Sequence, residues 1–234
     1  MKTKSIAFLS ILFLLILTSM SVAHDLWLER RGDLILLIHG HMDKADPYDP
    51  ERVVSWILFD KKGHRLNINP IKGNGSVSFE DKAGRIGLIN ITFDNKYWVK
   101  TNEGWKNIGK REALKEGFQI LESGRSMKFA KYLQGWHRTF AEPLHTEMEI
   151  IPLNNPFKSK TLKIKVLHKG KPLANVPIYL QASHEEKLKT DAQGLAEIEL
   201  RKGLNIISSK TRVTTEGDPD ADSIYLRASL SFIK

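Results

Sequence analysis

The sequence contains no cysteine. That absence removes disulfides, thiolate metal ligands, a disulfide-linked partner and a cysteine nucleophile together. Any transition metal must therefore be held by histidine, carboxylate or amine. Lipoprotein-type processing of a leader is excluded for the same reason. Catalytic signatures are also missing: there is no G-x-S-x-G, H-E-x-x-H, phosphate-binding loop or glycine-rich dinucleotide motif. Nor does any carboxylate pair stand out as a general acid and base. Arginine and lysine nowhere cluster with interleaved aromatics, so the net charge of +9 does not point to nucleic acid. An anionic neighbour such as lipid headgroups or cell-wall polymer would suit that charge. The lysines are nevertheless scattered through nearly every loop, as on a solvated surface.

What is present begins with an export-type leader. Lys2 and Lys4 precede an apolar run, Ile6 to Leu17, broken by Ser10. That run is shorter than the roughly 20 residues a spanning helix needs. Thr18 to Ala23 form a small polar exit, with Ser21 and Ala23 at the −3 and −1 positions of a peptidase site. Residues 1–23 thus read as a signal peptide cut between Ala23 and His24, which places the mature chain in the periplasm or outside the cell.

Short branched and aromatic segments dominate the rest: Asp33–His39, Val53–Phe59, Ile86–Phe93 and Tyr97–Lys100, separated by Gly, Asn, Asp and Lys turns. After Pro152 alternation is cleaner, through Leu162, Ile164 and Val166, then Val176–Leu180, Leu195–Leu200, Leu204–Ser208 and Ile224–Phe232. The pattern predicts an all-β chain of two immunoglobulin-like β-sandwich domains, residues 24–152 and 153–234. Ala113, Leu114, Phe118 and Leu121, followed by Met127, Ala130 and Leu133, recur at helical spacing. They predict a short helical insertion near 112–136 with a break at Gly124.

Of eight histidines, three carry the functional expectation. His39 and His41 stand two apart at a strand end and would project from one face, half of a metal site. Cleavage before His24 would give that residue a free α-amine beside its imidazole, a compact chelate for Cu, Ni, Co or Zn. His24, His41 and His39 are therefore the primary metal candidates. Asp25, His137 and His145 are weaker ones. Asp43 and Asp46 are nearby loop carboxylates, and His64, His168 and His184 read as surface residues.

Several stretches carry a family resemblance: Ala23–Glu29 (AHDLWLE), Gly40-His41, Lys131-Tyr132 and Pro143–Phe157. Lys169–Leu173, Thr190–Gly194 and Leu226–Phe232 continue it. On these the chain resembles an exported bacterial domain family of unassigned biochemistry, associated with the periplasmic component of nickel/cobalt uptake (NikM-like). The resemblance implies exported β-rich domains, a role in handling divalent metal, and His24 and His41 as ligands by position. One departure matters: where the family pattern has a histidine after the penultimate strand, Ser208–Arg212 has none.

The expectation is an exported, non-enzymatic protein that binds nickel or cobalt, with copper as the competitor on affinity, and serves a membrane metal-uptake permease. The alternatives are a non-catalytic carbohydrate- or protein-binding adhesion module, signalled by exposed Trp98, Trp105 or Trp136, and, with less support, a copper oxidative enzyme.

Overall fold

Two long strands far apart in sequence lie side by side at the centre of the molecule. Ser223–Ile233 runs parallel to Ile120–Leu133, from Ser223 beside Gly124 to Phe232 beside Leu133. The structure, a computed structural model, describes residues 24–183 and 185–234; the leader read over residues 1–23, and His184, lie outside the described residues. Among the described residues this pair anchors a nine-stranded sheet. Its order is Glu186–Lys189, Pro177–Leu180, Leu204–Thr214, Ser223–Ile233, Ile120–Leu133, Ile86–Thr101, Val53–Asp60 and Arg65–Leu66, with Gly104–Lys106 also on Ile86–Thr101.

A smaller sheet covers each face. One has the order Asp25–Arg31, Leu34–Gly40, Ser76–Glu80, Ile71–Gly73. Leu26, Leu28, Ile35, Leu37 and Phe79 of that sheet pack on Ile89, Ile91, Phe93, Ala130 and Tyr132 of the central one. The other is built on Thr161–His168, paired with Met148–Pro152, Lys171–Pro172 and Leu195–Glu199. Ile150, Leu162, Ile164 and Val166 there meet Phe129, Leu133, Leu230 and Phe232. The chain is all-β and sandwich-like, with the central sheet common to both layers. Strands from before and after position 152 are hydrogen-bonded within that sheet.

The expected helical insertion near 112–136 is corrected. Helix occupies Lys110–Lys115 alone, and Ile120–Leu133 is a central strand. A strand covered on both faces loses the period-2 polar alternation by which strands are recognised. Here Lys128, Ala130 and Tyr132 face one layer while Phe129, Lys131 and Leu133 face the other, and all six are buried. The apolar positions then fall by chance at helical intervals. Gly124, expected as a break, lies within the strand at a place where a Cβ would come within 2.6 Å of the Trp98 ring.

Burying Lys131 requires a partner, and Glu149 on the facing sheet supplies it at 3.1 Å. The same carboxylate accepts the backbone N–H groups of Leu144 and His145, at 3.0 and 3.1 Å. The pair thus ties the loop before Met148 to the central sheet. Removing one member would strand a buried charge at a cost of about 3–5 kcal/mol. Urea unfolding of Lys131→Met should show a loss of that size. The double variant Lys131→Met/Glu149→Gln should lose clearly less than its two single changes added together, because neither charge is then left alone.

Candidate metal centre

The first strand reaches its place through one face of strand 223–233, whose alternate residues 227, 229 and 231 point the same way. Arg227 pairs with Asp25, Nε to Oδ1 at 2.5 Å. The Ser229 hydroxyl donates to the Leu26 carbonyl. The Leu28 N–H donates to Ser231 Oγ at 3.3 Å, and that hydroxyl donates to the Leu28 carbonyl at 2.8 Å. Serine is small enough to let one backbone approach another while satisfying its polar groups. Lys128, beside Arg227 across the parallel pair, donates to the His24 carbonyl at 2.7 Å. These contacts hold His24 at the rim with 41% of its side chain exposed.

His39 sits opposite Leu26 and faces inward. Its ring is buried, stacked on Phe93 with centroids 5.6 Å apart and the planes 21° from parallel, and edge-on to Tyr48 at 6.0 Å. Its Nε2 lies 2.8 Å from Lys128 Nζ. Its buried Nδ1 has no hydrogen-bond partner among the described residues.

His41 comes after the strand end. Gly40 turns the chain at φ +142°, where a Cβ would lie 2.3 Å from the Lys44 carbonyl oxygen, so only glycine fits. The His41 N–H then donates to the Lys44 carbonyl at 2.8 Å, and the Lys44 N–H returns to the His41 carbonyl at 3.1 Å. Through this turn rather than through a continuing strand, the His24 ring meets both partners edge-on. Its centroid is 5.0 Å from that of His39 and 4.9 Å from that of His41. Asp46 closes the turn with Oδ2 at 3.3 Å from His24 Nε2.

The other expected residues go elsewhere. Asp25 is fully buried against Arg227, anchoring the strand. His137 caps the short 3-10 helix Arg138–Ala141, and its Nδ1 lies 2.9 Å from Thr139 Oγ1. His145 takes a left-handed turn conformation, φ +59°, from which its N–H reaches Glu149. Asp43 is exposed in the turn after His41. His64 is exposed beside Asp60 at 3.2 Å, and His168 is half-buried with Nε2 3.9 Å from Glu147. The stretch Ser208–Arg212 belongs to strand Leu204–Thr214 itself. Lys128 carried no sequence signal, because a lysine between apolar neighbours reads as a surface position.

Burial sets the electrostatics of the group. It pushes the His39 imidazole down to about 2, helped by the neighbouring Lys128 ammonium. His24 is lowered too, by burial first and then by Lys128, with Asp46 opposing. Burial and the Arg227 guanidinium bring the Lys128 ammonium down to about 7, with Asp25 opposing. The rings of His24 and His39 are thus neutral at neutral pH, the form that ligates metal. The donor types, imidazole with one carboxylate, suit a borderline divalent ion. Their aim does not yet suit one: His39 Nε2 is engaged by Lys128 and His24 Nε2 by Asp46. Among the described residues no group of three or more His, Cys, Asp or Glu is arranged to hold an ion. The orphaned Nδ1 of His39 is the one buried donor atom in the group left unused.

A profile described as a domain of unknown function, DUF4198, matches residues 21–212. An uncharacterized protein of Haemophilus influenzae is 27% identical over 217 residues, covering 92% of each chain. The resemblance read from the sequence therefore holds at the level of a family without an assigned function.

The buried His39 predicts acid lability. Its folded value lies below the ordinary 6.5, so the stability it confers is complete above that pH and is lost as pH falls toward 2. Thermal unfolding between pH 7 and pH 4 should show a steeper loss for the native protein than for His39→Gln, which keeps an acceptor for Lys128 but does not titrate.

Proposed function

Because the chain belongs to DUF4198, a family whose description assigns no activity, we propose its role from its own residues: capture of a divalent transition metal outside the cytoplasm. Nickel or cobalt is the favoured ion, with copper competing on affinity. The observation that carries this reading is the convergence of His39 and His41 on His24 in T-shaped ring contacts, although His24 comes from a different segment, just ahead of strand Asp25–Arg31. Three imidazoles grouped around His24, with a carboxylate at the rim, are costly to assemble for packing alone and useful for a metal.

The missing donor is accounted for by the chain end. Cutting between Ala23 and His24 would turn the His24 peptide nitrogen into an amine, which closes a chelate with the same residue's Nδ1. His24, half-buried at the rim, can swing away from Asp46, while the buried His39 and Lys128 keep the floor rigid. Binding would release protons from the amine and any imidazolium, and acid would release the metal. A permease in the membrane is the partner such a carrier would serve.

Calorimetric titration with Ni, Co, Cu and Zn tests this. The samples are the chain beginning at His24, the same chain with Gly-Ser ahead of His24, and His41→Ala. The expected result is one ion per chain for the first form, weakened at least about a hundred-fold (about 2.7 kcal/mol) by the extension and by His41→Ala. Equal binding by the extended form would remove the amine from the site. No binding by any form would overturn the metal reading and favour a non-catalytic binding module.

A further inference from the structure

His24 and His39 themselves border a cavity of about 330 Å³, more than holding a bare ion requires. Trp98, Trp105 and Tyr225 line it, together with Arg52 and Lys128, and no aspartate or glutamate does. The aromatic wall is built on Gly124, whose missing side chain makes room for the Trp98 ring. Trp98 then meets Trp105 at 4.8 Å between centroids and Tyr225 at 5.0 Å. The two indole planes are inclined at 54°, which makes a corner rather than a closed stack. Trp105 is left 41% exposed, an apolar surface of a kind that marks recognition sites.

The charge in the cavity is of one sign. The Arg52 guanidinium donates to the neutral Asn95 side chain at 2.7 Å, and among the described residues no carboxylate pairs with it. Lys128 uses two of its three donors, on the His24 carbonyl and on His39. A second cavity of about 280 Å³ shares Ser126, Lys128 and Tyr225 with the first, and it too is lined by cations, Lys210 and Arg212 among them, and by no carboxylate. Aromatic faces accept a flat or puckered ring, and a guanidinium accepts a carboxylate through paired N–H bonds. The volume is at the small end of ligand pockets, room for one ring and its substituents.

We propose that this cavity binds a small ring-bearing carboxylate, with the ring in the corner of Trp98 and Trp105 and the acid group toward Arg52 and Lys128. The inference does not require a bound metal, and its test is run without one. Metal-stripped protein would be titrated with benzoate and with galacturonate, each beside its neutral counterpart, benzamide and galactose, following the tryptophan indole N–H resonances. At least one acid should saturate and shift the Trp98 and Trp105 signals, at least about ten-fold more tightly than its neutral counterpart. Benzoate alone would identify an aromatic acid as the ligand class, and galacturonate alone a sugar acid. Trp105→Ala and Arg52→Gln, both outside the buried core, should each weaken the response by a similar factor. His41→Ala, which the metal reading expects to lose its ion, should leave it unchanged. Failure of both acids to saturate, neutral counterparts binding equally well, or indifference to Trp105→Ala would each overturn the proposal while leaving the metal reading standing.

Discussion

The ion pair between Asp25 and Arg227, with the two serine contacts that follow it along strand 223–233, is the constraint on which the site depends. It fastens the first strand of the described chain to its last. Because Asp25 is buried, its charge can be tolerated only opposite the guanidinium, so the register of the strand has no slack. His24 is the neighbouring residue and inherits that precision. A residue at the edge of a strand would otherwise fray; here it is held to about the position at which two other imidazoles converge.

The same face of the central sheet explains why the pocket is positively charged. Parallel pairing puts Lys128 beside Arg227, two cations on one buried surface, and a single carboxylate, Asp25, faces them from the first strand. The imbalance is relieved by depressing Lys128 and keeping His39 neutral rather than by adding acids. A surplus of positive potential next to neutral imidazoles and an indole corner is the electrostatic setting that both proposed ligands would meet. A third buried cation, Lys131, points to the opposite face and is matched by Glu149, so it contributes to stability and nothing to the site.

Glycine positions carry more of this architecture than their number suggests. Gly40 allows the turn that swings His41 back toward His24, a geometry closed to any side chain. Gly124 gives Trp98 a bare stretch of backbone to lie on. The space a side chain would have filled is taken at Gly40 by the Lys44 carbonyl and at Gly124 by the Trp98 ring.

Local pattern was enough for the class of fold, since branched and aromatic runs broken by polar turns hardly suit anything but sheet, and it was enough to single out His24, His39 and His41 by chemistry. The absence of cysteine likewise restricted the ligand types before any geometry was known. Other features were illegible for a physical reason. Strand 120–133 is buried on both faces, which erases alternation and made it resemble a helix. The turn at Gly40 brings His41 back to His24, where a continuing strand would have placed it on the His39 face. Lys128 and Arg227 gain meaning only from a parallel pairing between segments about a hundred residues apart, and the indole corner from the antiparallel pairings on either side of Trp98. The sequence by itself determined which atoms were available to hold a ligand; only the tertiary structure decided which of them meet, because that depends on sheet register over distances no local pattern encodes.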